Sequence, residues 1–77
     1  MKIKVLFFGV LTDVTGHENL AIENAKSVEE LKDQLKAKFP NLKDHEHLIA
    51  VNQNIVKENI SLNDGDEVAL LPPYSGG

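Results

Sequence analysis

The four residues Tyr74-Ser75-Gly76-Gly77 concentrate the chemistry this sequence can offer. With Gly77 as the last residue, their reactive group is an α-carboxylate, ionised at neutral pH with a reference pKa of about 3.3–3.7. A carboxylate is a poor electrophile. It must be activated, as an acyl-phosphate or acyl-adenylate, before a nucleophile can take it. No G-x-x-x-x-G-K-[ST] loop is present to hold ATP phosphates, so activation has to come from another enzyme. Gly76 and Gly77 lack side chains and fit a narrow slot, at the entropic cost glycine carries on ordering. Fully extended, the four residues reach roughly 14 Å, enough to enter another protein's pocket. Pro72 and Pro73 fix φ just ahead of them and aim the tail away from the domain. The plain alternative for a Gly-Gly end is a frayed or truncated terminus.

The rest of the chain offers less. It contains no cysteine, which removes disulfides, thiolate metal sites and a cysteine nucleophile and fits a cytoplasmic setting. His45 and His47 form "HEH" but have no evident third ligand, so they read as solvated side chains and no metal is expected. His17 reads as a strand-edge residue. Asp64 and Asp66 flank Gly65 as a turn; a calcium loop needs far more oxygens. The formal net charge is −4, a field that repels a phosphate backbone. Neither nucleic acid nor an anionic membrane is an expected partner. No stretch approaches the roughly 20 apolar residues of a membrane span. The short apolar run near the N-terminus reads as a strand rather than a leader.

The elements that must position the tail follow from periodicity. "KIKVLFF" (2–8) alternates and predicts a first strand. Val10, Leu11 and Val14 predict a short helical turn. "HENLAIE" (17–23) predicts a second strand. Ser27-Val28-Glu29-Glu30 is a capping box, with Glu30 reaching back to the Ser27 N–H. Val28, Leu31, Leu35 and Phe39 then form one apolar helical stripe, stopped by Pro40. "LKDHEH" reads as a polar connection. "LIAVN" (48–52), "IVK" (55–57) and "EVALLPP" (67–73) complete five strands, the last ended by proline and preceded by an Asp-Gly turn. Residues 1–73 are expected to form one domain, with 74–77 as a flexible tail.

One amphipathic helix covers one sheet face. Ile3, Val5, Phe7, Leu20, Ile22, Ile49, Val51, Val68 and Leu70 suit that side. The opposite parity holds Leu6, Phe8, Leu48, Ala50, Ala69 and Leu71, with Ile55 and Val56 on one face each. An uncovered apolar face points to a protein contact; cover from loops or from the Val10–Val14 turn is the alternative.

Both ends of the chain resemble one family. "KVLFFG" (4–9), "AVNQ" (50–53) and above all "LNDGDEVALLPPYSGG" (62–77) resemble the small subunit of molybdopterin synthase, a ubiquitin-like sulfur carrier. The resemblance implies an α+β β-grasp fold: a mixed five-strand sheet with one main helix packed on one face. It implies that an activating enzyme consumes ATP to adenylate Gly77. A sulfur-donor system then converts that residue to a thiocarboxylate. Tyr74, Ser75 and Gly76 would thread the partners' active sites. The large synthase subunit would receive the tail and pass sulfur to a cyclic pterin precursor, usually in a heterotetramer of two small and two large subunits. Catalytic side chains would belong to the large subunit, and no cofactor would be bound permanently here. Phe8, Leu71, Ile55, Leu6, Pro72 and Pro73 are the expected partner contacts. Tyr74 departs from the family, where a small aliphatic residue is common. Carriers for thiamine, tRNA thiolation or cysteine synthesis share the Gly-Gly end, as do ubiquitin-like protein modifiers.

Overall fold

In the computed structural model, residues 2–73 are described. Tyr74, Ser75, Gly76 and Gly77 lie outside them. Five strands form one sheet in the order β2-β1-β5-β3-β4. They are β1 (Lys2–Phe7), β2 (Asn19–Glu23), β3 (Leu48–Val51), β4 (Asn54–Val56) and β5 (Glu67–Leu71). The central pair is parallel, Val5 opposite Val68 and Phe7 opposite Leu70. The pairs β1–β2, β3–β5 and β3–β4 are antiparallel. The first and last strands are therefore neighbours although the whole chain separates them.

Helix α2 (Val28–Lys38) starts where the capping signal places it. The Glu30 N–H donates to Ser27 Oγ at 3.2 Å. Glu30 Oε1, however, accepts from the Lys26 N–H at 3.1 Å, not from that of Ser27. An antiparallel bridge between Ser27 and Ser61 holds this stretch extended, and the extended backbone turns the Lys26 amide toward the carboxylate. Asn59 Oδ1 accepts from the Glu29 N–H at 2.9 Å. Two caps from different segments thus satisfy donors that a helix start leaves without partners.

The stripe on α2 buries Val28, Leu31 and Leu35 against Ile3, Val5, Phe7, Ile22, Ile49, Val51, Val68 and Leu70. Fully burying one such side chain contributes about 1.5–3 kcal/mol. Phe39 closes the end of the layer edge-to-face on Phe7, with ring centroids 5.9 Å apart. The His17 ring also lies against Phe39, tilted by 59° with centroids 5.6 Å apart.

Three local features differ from the expectation. The connection after α2 is not only polar: Pro40–Asp44 forms a 3-10 turn and Leu42 is 2% exposed in the core. A single leucine in "PNLKDHEH" has no periodicity to announce it. Helix α1 (Val10–Thr15) is longer than a turn and sends Leu11 into the core. It therefore caps the helix-side layer and leaves the opposite sheet face uncovered. Strand β1 stops at Phe7, which leaves Phe8 beyond its end.

Tight turns set the register. Asn52 and Gln53 join β3 to β4, both with positive φ, as a two-residue hairpin connection requires. Asn52 also spans to β5: its side chain accepts from the Glu67 N–H and donates to Asp66 Oδ1. Asp66 accepts from the Asn63 N–H at 2.8 Å as well. The Asn63 and then the Asn52 hydrogen bonds hold its carboxyl below the ordinary 3.8. A depressed folded-state pKa contributes stability that is present above the unfolded value and lost as pH falls through the lower folded one. Stability should therefore decline as pH drops below 3.8. Asp66→Asn should remove part of that acid slope in urea melts across pH 2–5. In the same melts Leu42→Ala should cost about 2–5 kcal/mol, whereas a surface loop leucine would cost almost nothing.

Candidate functional site

The candidate site lies on the face of the sheet that α2 does not cover. Registers place residues in rows across it. Leu6 stands beside Ala69, Ala69 beside Ala50, and Ala50 beside Ile55. The next row pairs Leu71 with Leu48, and Phe8 follows β1 alongside it. The row at the other end is polar, with Lys4 opposite Glu67. Apolar character thus gathers toward the end of the sheet where the chain leaves β5.

Exposure along these rows is uneven. Phe8 is 45% exposed and Ile55 is 54% exposed, on opposite flanks of the patch. Leu6, Ala69, Leu48 and Leu71 are half-buried. Ala50 is 4% exposed: a small side chain in a middle strand is shaded by its taller neighbours. The patch is a shallow floor of alanines between raised leucine, phenylalanine and isoleucine side chains. Leaving large side chains such as Phe8 and Ile55 in water forgoes the usual gain from burial, and an apolar patch of this kind suits a protein contact.

Pro72 and Pro73 follow Leu71 at the apolar end of the face and are half-buried. Proline has no N–H to continue the ladder, so the strand stops here for a covalent reason. Leu6, Phe8 and Gly9 line a shallow depression with Thr12, Glu18 and Asn19. Pro73 borders a second groove, shared with Leu48, that carries Lys32, Lys36 and Lys43. The structure therefore brings Phe8, Leu6, Leu71, Ile55, Pro72 and Pro73 to one side of the sheet or to the chain exit beside it. Tyr74, Ser75, Gly76 and Gly77 lie outside the described residues.

The remaining sequence candidates separate from this face. His47 Nδ1 lies 2.9 Å from the His45 carbonyl oxygen, a local turn contact. No group of three or more His, Cys, Asp or Glu side chains able to hold a metal occurs among the described residues. Asp64 Oδ1 accepts from the Lys2 N–H at 2.6 Å, and the Gly65 N–H donates to the Lys2 carbonyl at 2.8 Å. The Asp-Gly turn thus clasps the start of β1. Gly9, which lines the depression beside Phe8, was not singled out in the sequence, where a lone glycine after a strand reads only as an element boundary. No described helix is long and apolar enough to cross a membrane.

A mixed five-strand sheet with one main helix on one face defines a ubiquitin-like β-grasp protein. The chain belongs to the ThiS family, whose model matches residues 5–77. The molybdopterin synthase sulfur carrier subunit of Mycobacterium tuberculosis is 42% identical over 82 residues, which cover 100% of this chain and 99% of the relative. The protein of that name in Escherichia coli is 38% identical over 80 residues, covering 97% and 99%. A complex of subunits 1 and 2 of molybdopterin-converting factor from Helicobacter pylori contains a chain with TM-score 0.76 and 34% identity, each covered fully. Small archaeal modifier protein 1 from Methanosarcina acetivorans superposes with TM-score 0.83 at 27% identity, over 99% of this chain and 96% of that one. The sequence resemblance to the small subunit of molybdopterin synthase is thus borne out.

The two sides of β4 give a direct test of the layering. Ile55→Asp should leave unfolding free energy within about 0.5 kcal/mol of the parent chain. Val56→Asp, one residue on and facing the core beside Ile49, should cost more than about 2 kcal/mol. Equal costs in denaturant melts would contradict the assignment of the two faces.

Proposed function

We propose that this chain is the sulfur carrier subunit of molybdopterin synthase and that Gly77 carries the sulfur. The observation that carries the reading is full-length similarity to sulfur carrier subunits, 42% identity in the M. tuberculosis relative. The exposed apolar face ending at Pro72 and Pro73 supports it. Such a face gives a partner purchase next to the point from which the tail must reach.

The Gly77 carboxylate attacks the α-phosphorus of ATP on an activating enzyme, which expels pyrophosphate and leaves an acyl-adenylate. A persulfide sulfur of a donor system attacks the acyl carbon and displaces AMP, leaving an acyl disulfide. A thiol then attacks the donor's sulfur in that disulfide, forms a new disulfide with the donor and releases Gly77 as a thiocarboxylate, one oxygen having been replaced by sulfur. Tyr74, Ser75 and Gly76 thread the partner's channel, and the large subunit passes the sulfur to a cyclic pterin precursor. Phe8, Leu6, Leu71 and Ile55 dock the partner, with Pro72 and Pro73 at the channel mouth. The small subunit contributes no catalytic side chain and holds no resident cofactor. It works in the cytoplasm, in an assembly of two small and two large subunits.

A second reading draws support from the archaeal modifier at 27% identity. In that case a lysine amine, rather than sulfur, would take the activated Gly77 acyl group and form an amide. Intact mass after incubation with ATP, the activating enzyme and a sulfur donor separates the two. Exchange of one oxygen for sulfur, absent when Gly77 is deleted, is the expected result. Covalent attachment to protein lysines instead would favour the modifier. An unchanged mass with an activating enzyme proven on another carrier would overturn both. Phe8→Asp and Ile55→Asp should each weaken binding to the large subunit about tenfold or more while leaving the denaturation midpoint unchanged.

A further inference from the structure

Strands β1 and β5 run parallel, so their ends leave the sheet side by side. The Phe8 N–H donates to the Leu70 carbonyl at 3.2 Å, carrying the ladder one residue past β1. The chain then turns sharply. Gly9 adopts φ 58 and ψ −137, and the Phe8 and Gly9 carbonyls accept from the Leu11 and Thr12 N–H groups. On the neighbouring strand, Pro72 stands one residue past β5. A Cβ placed on Gly9 would lie 2.7 Å from Pro72 Cγ and 3.6 Å from Cδ. Carbon atoms pack at about 3.5–4.0 Å. The pyrrolidine ring therefore occupies the space a side chain at position 9 would need.

Two other glycines make the contrast. Gly16 and Gly65 also have positive φ, 75 and 86, but a Cβ on either meets nothing within 4 Å. Conformation alone accounts for them. Gly9 answers to conformation and to a contact 63 residues away in sequence. Pro72 has no N–H, so it cannot be tied to a neighbouring strand by a donated backbone hydrogen bond, and its ring lies over Gly9.

We propose that Gly9 is a positioning residue: its bare α-carbon is the seat for the Pro72 ring, and that seat sets the direction in which the chain leaves the domain. The inference deepens the sulfur-carrier reading and rests on it for its functional consequence, because a tail that must thread a channel needs an aimed root.

The absence of cysteine permits a direct test. Ser75→Cys carries a single nitroxide on the tail, and paramagnetic broadening of backbone amides maps where the tail goes. Gly9→Ala should move that footprint. In a Pro72→Ala background, with the ring gone, Gly9→Ala should move it no further. Gly16→Ala, strained but far from Pro72, should leave it in place. Pro72→Ala alone should also move it, which keeps the test open if Gly9→Ala does not fold. An unmoved footprint in both single variants overturns the proposal. So does an equal effect of Gly9→Ala with and without the proline ring. In parallel, Gly9→Ala should weaken binding to the large subunit roughly tenfold only where Pro72 is present. Failure of the unsubstituted chain to bind that subunit would overturn the functional reading, while the footprint decides the role of Gly9.

Discussion

The parallel pairing of β1 with β5 is the constraint on which the rest of this structure depends. It joins Lys4–Phe7 to Glu67–Leu70 at the centre of the sheet, so this pairing cannot form until nearly the whole chain is present. Such pairing carries a loop-closure cost before its contacts form. Burial beneath α2 offsets that cost, since Ile3, Val5, Val68 and Leu70 are all 1% exposed or less. The same pairing brings the turn after β1 against the exit from β5. The contact of Gly9 with Pro72 and the gathering of Phe8 near Leu71 are consequences of this one adjacency.

A single amphipathic helix completes the logic. Helix α2 has one apolar stripe, and one stripe covers one sheet face. The second face has to be small, polar or reserved for another protein, and this chain combines these solutions by position. Lys4 and Glu67 mark its polar end. Ala50 and Ala69 keep its centre low. Phe8, Leu71 and Leu48 make the end nearest the chain exit apolar. The chain therefore leaves β5 beside the apolar end of this face.

Much of this was legible in the sequence, and the boundary between what was and was not follows the range of the interactions. Period-2 alternation assigned Ile3, Val5 and Phe7 to one face because strand geometry acts over neighbouring residues. The Ser27 cap and the stripe through Leu31 and Leu35 were legible for the same local reason. The adjacent apolar pair Ile55 and Val56 divided correctly between the faces. Leu42 was not legible, because one apolar residue in a polar run has no period. The shading of Ala50 depends on side chains in two other strands, and the capping of α2 by Asn59 depends on a segment that only the fold brings near. The seat of Pro72 on Gly9 is the furthest case, a contact between the two ends of the chain. The registers gather the apolar residues of the uncovered face as strand parity implies, whereas the docking role proposed for them and the chemistry proposed for Gly77 rest on family likeness and on the reactivity of a carboxylate.

Hydrogen–deuterium exchange of the chain, alone and mixed with the large subunit of molybdopterin synthase, reports whether the uncovered sheet face and the chain exit form one docking surface. Slower exchange is expected at residues 6–9, 54–56 and 69–71, with the outer surface of α2 unchanged. Protection confined to α2, with those three segments exchanging as in the free chain, would contradict that arrangement.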